Sequence, residues 1–308
     1  GDNFSGRFAQ LAAAITVVFT TIGMLSYLVK AIGLFLSMFI PLSPPVCALI
    51  LVGCATVYTM VSGFYGVIFT DLFQSAIVIG AVIAIGLLGT VKVASHPEFA
   101  NLAYEVTGQQ NWMSSLPNFN THMPKGYEVY ESLFMFALFY LVKSTFQGMA
   151  FPGDPKYFGA RNDRECGTLT LLWSALITVR WPLMLGFTIL GIFLVKDLFP
   201  DQEVLSQTAM VIKQHFPEVT AAKWESVISE IKNNPSGQPK VLMASIKSLL
   251  GNDWARRLLL ISYHGTVNPE RILPAVVLFS IKEGFRGLIL IALIAASMST
   301  FDSQSNLS

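Results

Sequence analysis

Leu288–Asn306 reads LILIALIAASMSTFDSQSN, and the change of character halfway along it decides what kind of chain this is. An apolar run suited to lipid abruptly carries Ser297, Ser299, Thr300, Asp302, Ser303, Gln304, Ser305 and Asn306. In hydrocarbon an unsatisfied polar group costs several kcal/mol, so such a cluster is expected to meet another helix, trapped water or an ion. At helical spacing Ala292, Ala295, Ala296, Ser299, Thr300 and Ser303 share one face of small residues, with Asp302 a turn beyond Ser299. Hard cations take oxygen ligands, so this face suits a bare cation. The same hydroxyls also suit close helix packing.

Composition supports a membrane setting. Of 308 residues, 53% are hydrophobic and 13% charged, about half the roughly 25% charge of a globular protein. Mean hydropathy is +0.57. A net charge of +1 without a long basic run argues against nucleic acid as a partner. Cys47, Cys54 and Cys166 form no CxxC and no even set, so they leave the redox compartment open. His96, His122, His215 and His264 all lie outside the apolar runs, which disfavours a histidine metal site or proton relay in the membrane. The chain starts at Gly1 in a polar lead and stops just after the polar cluster. It is expected to be an internal piece of a longer protein.

Apolar runs of about 20 residues mark spanning helices. Six are expected, near Phe8–Ile40, Val46–Val61, Val67–Val91, Leu133–Phe151, Leu169–Val195 and Gly284–Asp302. Pro41, Pro44 and Pro45 mark the first turn; Ser62, Gly63 and Gly66 mark the second. This divides the chain into three helices over 1–93, an extracellular loop over 94–130 and two helices over 131–195 with a cytoplasmic loop at 152–168. An extracellular helical region over 196–283 and a last helix over 284–308 complete it. Within 196–283, DQEVLSQTAMVIKQHF and AAKWESVISEIKNN have helical periodicity. ERILPAVVLFSIKEGF reads as a short surface or re-entrant helix leading into the last span. Arg7, Lys156, Arg161 and Arg164 gather on the side that holds both ends, against Lys125 and Lys92 on the other. The positive-inside rule therefore places both ends in the cytoplasm.

Lys30, Asp71, Lys143 and Arg180 lie in or near apolar runs, where each costs about 2.5–3.5 kcal/mol on insertion scales and is expected to face a cavity or partner. Lys30 can snorkel from the outer part of its span. Asp71, beside Thr70 and one turn before Gln74, reads either as a helix-start carboxylate or as part of a cation path with Asp302. Lys143 and Arg180, the latter just before Trp181 and Pro182, are candidates to meet an anionic solute group or an internal carboxylate.

The stretch YTMVSGFYGVIFTDLFQS resembles the turn, Thr-Asp pair and Gln of the sodium:solute symporter family, and AASMSTFDSQSN resembles that family's "AA..MST..S..N" helix. YFGARNDRECGT resembles its cytoplasmic linker. The resemblance implies an all-α transmembrane, inverted-repeat bundle of the LeuT-like kind, of which this chain would be a six-helix fragment, core helices three to eight. It implies Na⁺ as the coupling ion, held by the Ala296 carbonyl and the Ser299 and Thr300 hydroxyls, and a possible second sodium at Asp71 and Asp302. The family's "N.Y..QR" stretch is missing here; the region reads STFQGMAFPGDPK. Gln147 joins Lys143 and Arg180 as a solute-cavity candidate, and no named solute carries over.

The expected function is sodium-coupled uptake of a small organic solute by alternating access, in a plasma or inner membrane, with sodium, solute and lipid as partners. The alternative is a transporter-like sensor domain feeding a signalling module. No His/Glu metal motif, nucleophile elbow or P-loop order is visible, so an enzyme is not expected.

Overall fold

The computed structural model describes residues 4–109, 123, 125–150 and 160–305. Side chains at 4, 5, 9, 13, 59, 62–68, 70, 71, 129, 146–150 and 301–305 lie outside that description. The regular structure described is helical, apart from an isolated antiparallel bridge between Ile261 and Val267. Four helical lengths are long and apolar enough to cross a membrane: Gly6–Ser37, Leu72–Ala94, Asp163–Leu198 and Glu283–Thr300. Two shorter apolar lengths, Pro44–Tyr58 and Leu133–Thr145, stand between them.

Helix α1 (Phe4–Ser37) is followed by α2 (Pro44–Ala94), a single helix of 51 residues. At 1.5 Å per residue α2 is about 76 Å long, more than twice the roughly 30 Å of hydrocarbon in a bilayer. Both Pro44–Tyr58 and Leu72–Ala94 lie on it. The turn expected at Ser62, Gly63 and Gly66 is helical backbone instead. The physical reason is that this stretch has no proline, and a mid-helix glycine costs only about 1 kcal/mol. Prolines appear at the start of α2, where the missing amide is no loss.

Helix α3 (Phe99–Thr107) lies in the segment expected to be loop. Its Phe99 and Ala103 are buried with Ile192 and Phe193. Gly108 ends it in the left-handed conformation, at φ 70°. Helix α4 spans Leu133–Ala150, and α5 spans Asp163–Leu198 with Pro182 inside it. Along α5 the hydroxyls of Thr168, Thr170, Ser174, Thr178 and Thr188 each donate to the carbonyl four residues back, at 2.8–2.9 Å.

The chain divides into two compact units. One comprises Gly1–Tyr27, Leu116–Trp181 and Ser303–Ser308; the other comprises Leu28–Ser115 and Pro182–Asp302. In the first, large apolar side chains such as Phe8, Phe19, Phe139 and Leu171 face outward, the exterior expected of helices whose solvent is lipid. Every buried side chain among the described residues belongs to the second unit.

Glycines set the helix spacing in the second unit. A Cβ on Gly186 would lie 2.6 Å from the Ile85 carbonyl oxygen, and one on Gly89 would lie 2.9 Å from the Gly186 Cα. Helices α2 and α5 therefore cross nearly backbone to backbone, as small residues permit in membranes. The core at that crossing includes Ala81, Ile85, Phe187 and Leu190.

Residues 199–283 fold into helices α6 (Glu203–His215), α7 (Ala221–Asn233), α8 (Lys240–Leu250), α9 (Trp254–Leu258) and α10 (Ile272–Phe279). Their apolar stripes meet in one core holding Leu205, Ile212, Trp224, Ile228, Ile231, Leu242, Ile246 and Leu250. The indole of Trp224 donates to the Ile261 carbonyl at 2.8 Å, so a buried polar atom has its partner. Gly265, at φ 75°, turns the chain against Ser206, where a Cβ would lie 2.8 Å from the Ser206 Cα.

Two polar contacts join this region to α1 and to Met38, the residue just after it. Lys30 pairs with Glu270 at 3.1 Å, so its ammonium meets a carboxylate as well as reaching toward the span's end. Lys232 donates to the Met38 carbonyl at 3.5 Å. Burial, with the Arg271 guanidinium nearby, holds the Lys232 ammonium below its ordinary value. The Lys30 and Glu270 side chains are 63% and 36% exposed, and such pairs contribute about 0–1 kcal/mol. Glu270→Gln is accordingly expected to lower stability by less than about 1 kcal/mol, read as a small melting shift in detergent; a loss several times larger would show that the pair is a main tether.

Candidate cation site

The last helix, α11 (Glu283–Ser305), carries the polar cluster. Its upper part is anchored in the second unit by Ile289 and Ala292, 0% and 1% exposed. Ile294 and Met298, a turn apart, pack against Ile32 and Leu36 of α1 and Cys47 and Leu51 of α2. These contacts fix the rotation of α11 and turn the small-residue face partly inward. Ala295 is buried, while Ala296, Ser299 and Thr300 are half-buried.

The three expected sodium ligands differ in what they do. Thr300 Oγ1 donates to the Ala296 carbonyl at 2.8 Å. Both oxygens retain lone pairs, so two of the candidate donors lie side by side on one turn. Ser299 makes no hydrogen bond among the described residues, which leaves its hydroxyl available to a ligand. Ser297 does not belong to this set: its hydroxyl folds back on the Leu293 carbonyl at 2.8 Å. A carbonyl and two hydroxyls on one turn form a neutral oxygen donor set. Such a set can replace part of a cation's hydration shell, provided further oxygens complete the coordination.

Back-bonding changes one premise of the sequence reading. Besides another helix, water or an ion, a hydroxyl in lipid has a fourth partner: a carbonyl of its own helix. Thr300 and Ser297 both use it, so polarity alone does not require a ligand at those positions. Ser299 is the residue of the trio left with its full hydrogen-bonding capacity.

The other expected site residues are placed as follows. Asp71 lies on α2, Asp302 on α11 and Gln147 on α4, with side chains outside the described residues. Lys143 on α4 is half-buried, its ammonium 5.3 Å from the centre of the Tyr140 ring one turn back. A cation over an aromatic face gains about 0.5–1 kcal/mol at an exposed site, so Lys143 has a partner on its own helix. Arg180 on α5 is exposed and makes no ion pair or hydrogen bond among the described residues. Lys143, Gln147 and Arg180 all fall in the first unit, whereas Asp71, Ala296, Ser299, Thr300 and Asp302 fall in the second.

Sequence reasoning singled out the charges in apolar runs and passed over Arg271, the one buried charged residue among those described. Its signal was faint, because ERILP sits in a moderately polar context where an arginine attracts no notice.

Compared with known proteins, the chain matches the sodium:solute symporter family over residues 3–199, more than half its length. The matched part holds α1 to α5 and ends before α11. No curated protein and no solved structure matches.

Proposed function

The chain belongs to the sodium:solute symporter family, and from that membership we propose that it moves a small organic solute into the cell by alternating access, with Na⁺ held at Ala296, Ser299 and Thr300. Members of the family are multi-pass membrane transporters rather than enzymes, and the apolar helices described above fit that class. The solute belongs to the sugar, amino acid or carboxylate class.

The observation that carries the ion assignment is the oxygen arrangement on one turn of α11: the Ala296 carbonyl beside Thr300 Oγ1 at 2.8 Å, and the unbonded Ser299 hydroxyl next to them. Ion binding there would draw the half-buried turn together with the further oxygens that complete the coordination. A sodium ion moving down 100 mV supplies about 2.3 kcal/mol, so a second ion at Asp71 and Asp302 would double the electrical drive. Two carboxylates suit that role because they supply the countercharge that the neutral oxygen set at Ala296, Ser299 and Thr300 lacks. Lys143, Gln147 and Arg180 are assigned to the solute cavity, where a cationic pair would favour an anionic solute group. The membrane is the plasma or inner membrane, with both ends of the chain on the cytoplasmic side.

The test uses the full protein in sealed vesicles, with sugars, amino acids and carboxylates offered in turn. An inward sodium gradient is expected to accumulate one class above its equilibrium level, and an equal potassium gradient is not. With two ions, the initial rate rises more steeply than the first power of sodium, and Asp302→Asn returns it to first power. Equal accumulation in sodium and potassium would overturn the sodium assignment; an unchanged steepness in Asp302→Asn would remove the second site.

A further inference from the structure

Arg271 sits at the entrance to α10 with its side chain fully buried. Its Nη2 lies 2.5 Å from Glu225 Oε2 on α7, 3.4 Å from Ser229 Oγ and 3.5 Å from the Glu225 carbonyl oxygen. Nε and Nη1 have no partner among the described residues. Glu225 Oε1 accepts a second bond, at 2.6 Å, from Asn268 Nδ2. One carboxylate therefore grips both ends of the turn Asn268–Arg271, and Asn268 Oδ1 closes that turn by accepting from the Glu270 amide at 3.0 Å.

What this grip holds is the approach to α11. Helix α10 begins at Ile272, the residue after Arg271, and its Ala275, Val276 and Val277 are all 0% exposed. It presses on α5, where a Cβ on Gly191 would lie 2.7 Å from Ile272 Cγ2. The three-residue corner between α10 and α11 is closed by Arg286 Nη2 donating to the Ile281 carbonyl at 3.2 Å, and Ile281 itself is buried. Helix α11 then runs directly to Ser299 and Thr300. Glu225 is thus joined to the cation turn through a short helix whose middle, Pro274–Val277, is buried.

We infer that Glu225 and Arg271 are positioning residues for the cation turn of α11: their clamp on Asn268–Arg271 sets where α10 lies, and through α10 the placement of Ser299 and Thr300. The inference rests on the sodium assignment above. A buried ion pair is weak evidence for stability, because desolvation offsets attraction; its better-attested use is to hold one arrangement among several. The charges around it sharpen this role. Lys30 and Glu270 face Glu225, and Lys232 faces Arg271. Three cations thus share two carboxylates, and removing the Glu225 charge leaves Glu270 alone among Arg271, Lys232 and Lys30.

In the full protein, Glu225→Gln is expected to raise the sodium concentration for half-maximal uptake by roughly fivefold or more, the lower range of coupling between linked sites. The solute's half-saturation at saturating sodium should change much less. The double variant Glu225→Leu with Arg271→Met removes the buried charges together and so retains the fold. It lacks the two-point grip and is expected to keep the raised sodium requirement. Normal sodium dependence in either folded variant would overturn the inference. A wild-type measurement decides the matter if neither variant folds. Linkage is reciprocal, so sodium must slow amide exchange over 268–279 as well as over 292–300. Slowing confined to 292–300 would sink the positioning role and leave the sodium site standing; no slowing in either segment would sink both.

Discussion

Changing Ser299 and Thr300 together to alanine is expected to raise the sodium needed for half-maximal uptake on the order of a hundredfold, with protein amount in the membrane nearly unchanged. The size follows from two lost oxygens facing a cation, each taken as about 1.5 kcal/mol by analogy with hydrogen bonds to charged groups; a total near 3 kcal/mol is about two powers of ten in affinity. The fold should tolerate the change. Both side chains are only half-buried, and the Thr300 bond to Ala296 is one that helices do without. Single variants separate the roles further. Thr300→Ser preserves the hydroxyl and is expected to stay near wild type, while Thr300→Val keeps the shape, loses the oxygen and shifts the sodium dependence. Unchanged sodium dependence in the double alanine variant would remove α11 from the ion site.

Gly186→Leu is expected to abolish folded protein, and Gly186→Ala to cost about 1–3 kcal/mol, the usual penalty of overpacking. The atoms a Cβ would meet at Gly186 include the Ile85 carbonyl oxygen at 2.6 Å and the Ile85 carbonyl carbon at 2.9 Å. Backbone cannot rotate out of the way as a side chain can, so α2 and α5 must separate and open the core around Phe187 and Leu190. Gly80, on α2, has nothing within 4 Å of its would-be Cβ. Gly80→Ala should therefore be neutral or gain up to about 1 kcal/mol of helix propensity. Melting of the purified protein in detergent compares the two. Equal melting temperatures for Gly186→Ala and Gly80→Ala would show that the crossing is looser than described.

Much of the architecture was legible because lipid imposes a simple rule: long apolar lengths become helices. The residues of α1, α5 and α11 announce themselves that way, and the Thr-Asp and Ser-Thr stretches pointed to the family whose match covers residues 3–199. The turn read at Ser62–Gly66 illustrates the limit of punctuation residues, since glycine permits a turn without compelling one. Helix α3 was hidden because nine residues of ordinary amphipathic pattern resemble a loop until Phe99 and Ala103 find Phe193. The clamp at Arg271 could not be read at all. Its partner Glu225 is 46 residues away in sequence, and nothing local marks either residue as buried.

The hydroxyl ladder of α5 bears on how strongly that helix prefers oil to water. Thr168, Thr170, Ser174, Thr178 and Thr188 each bring their own acceptor into the bilayer, so each arrives already solvated by peptide. Transfer scales that charge every threonine for a bare alcohol undervalue such a segment. Helix α5 should partition into a membrane more readily than its composition alone suggests, behaving toward lipid almost as though those hydroxyls were methyl groups.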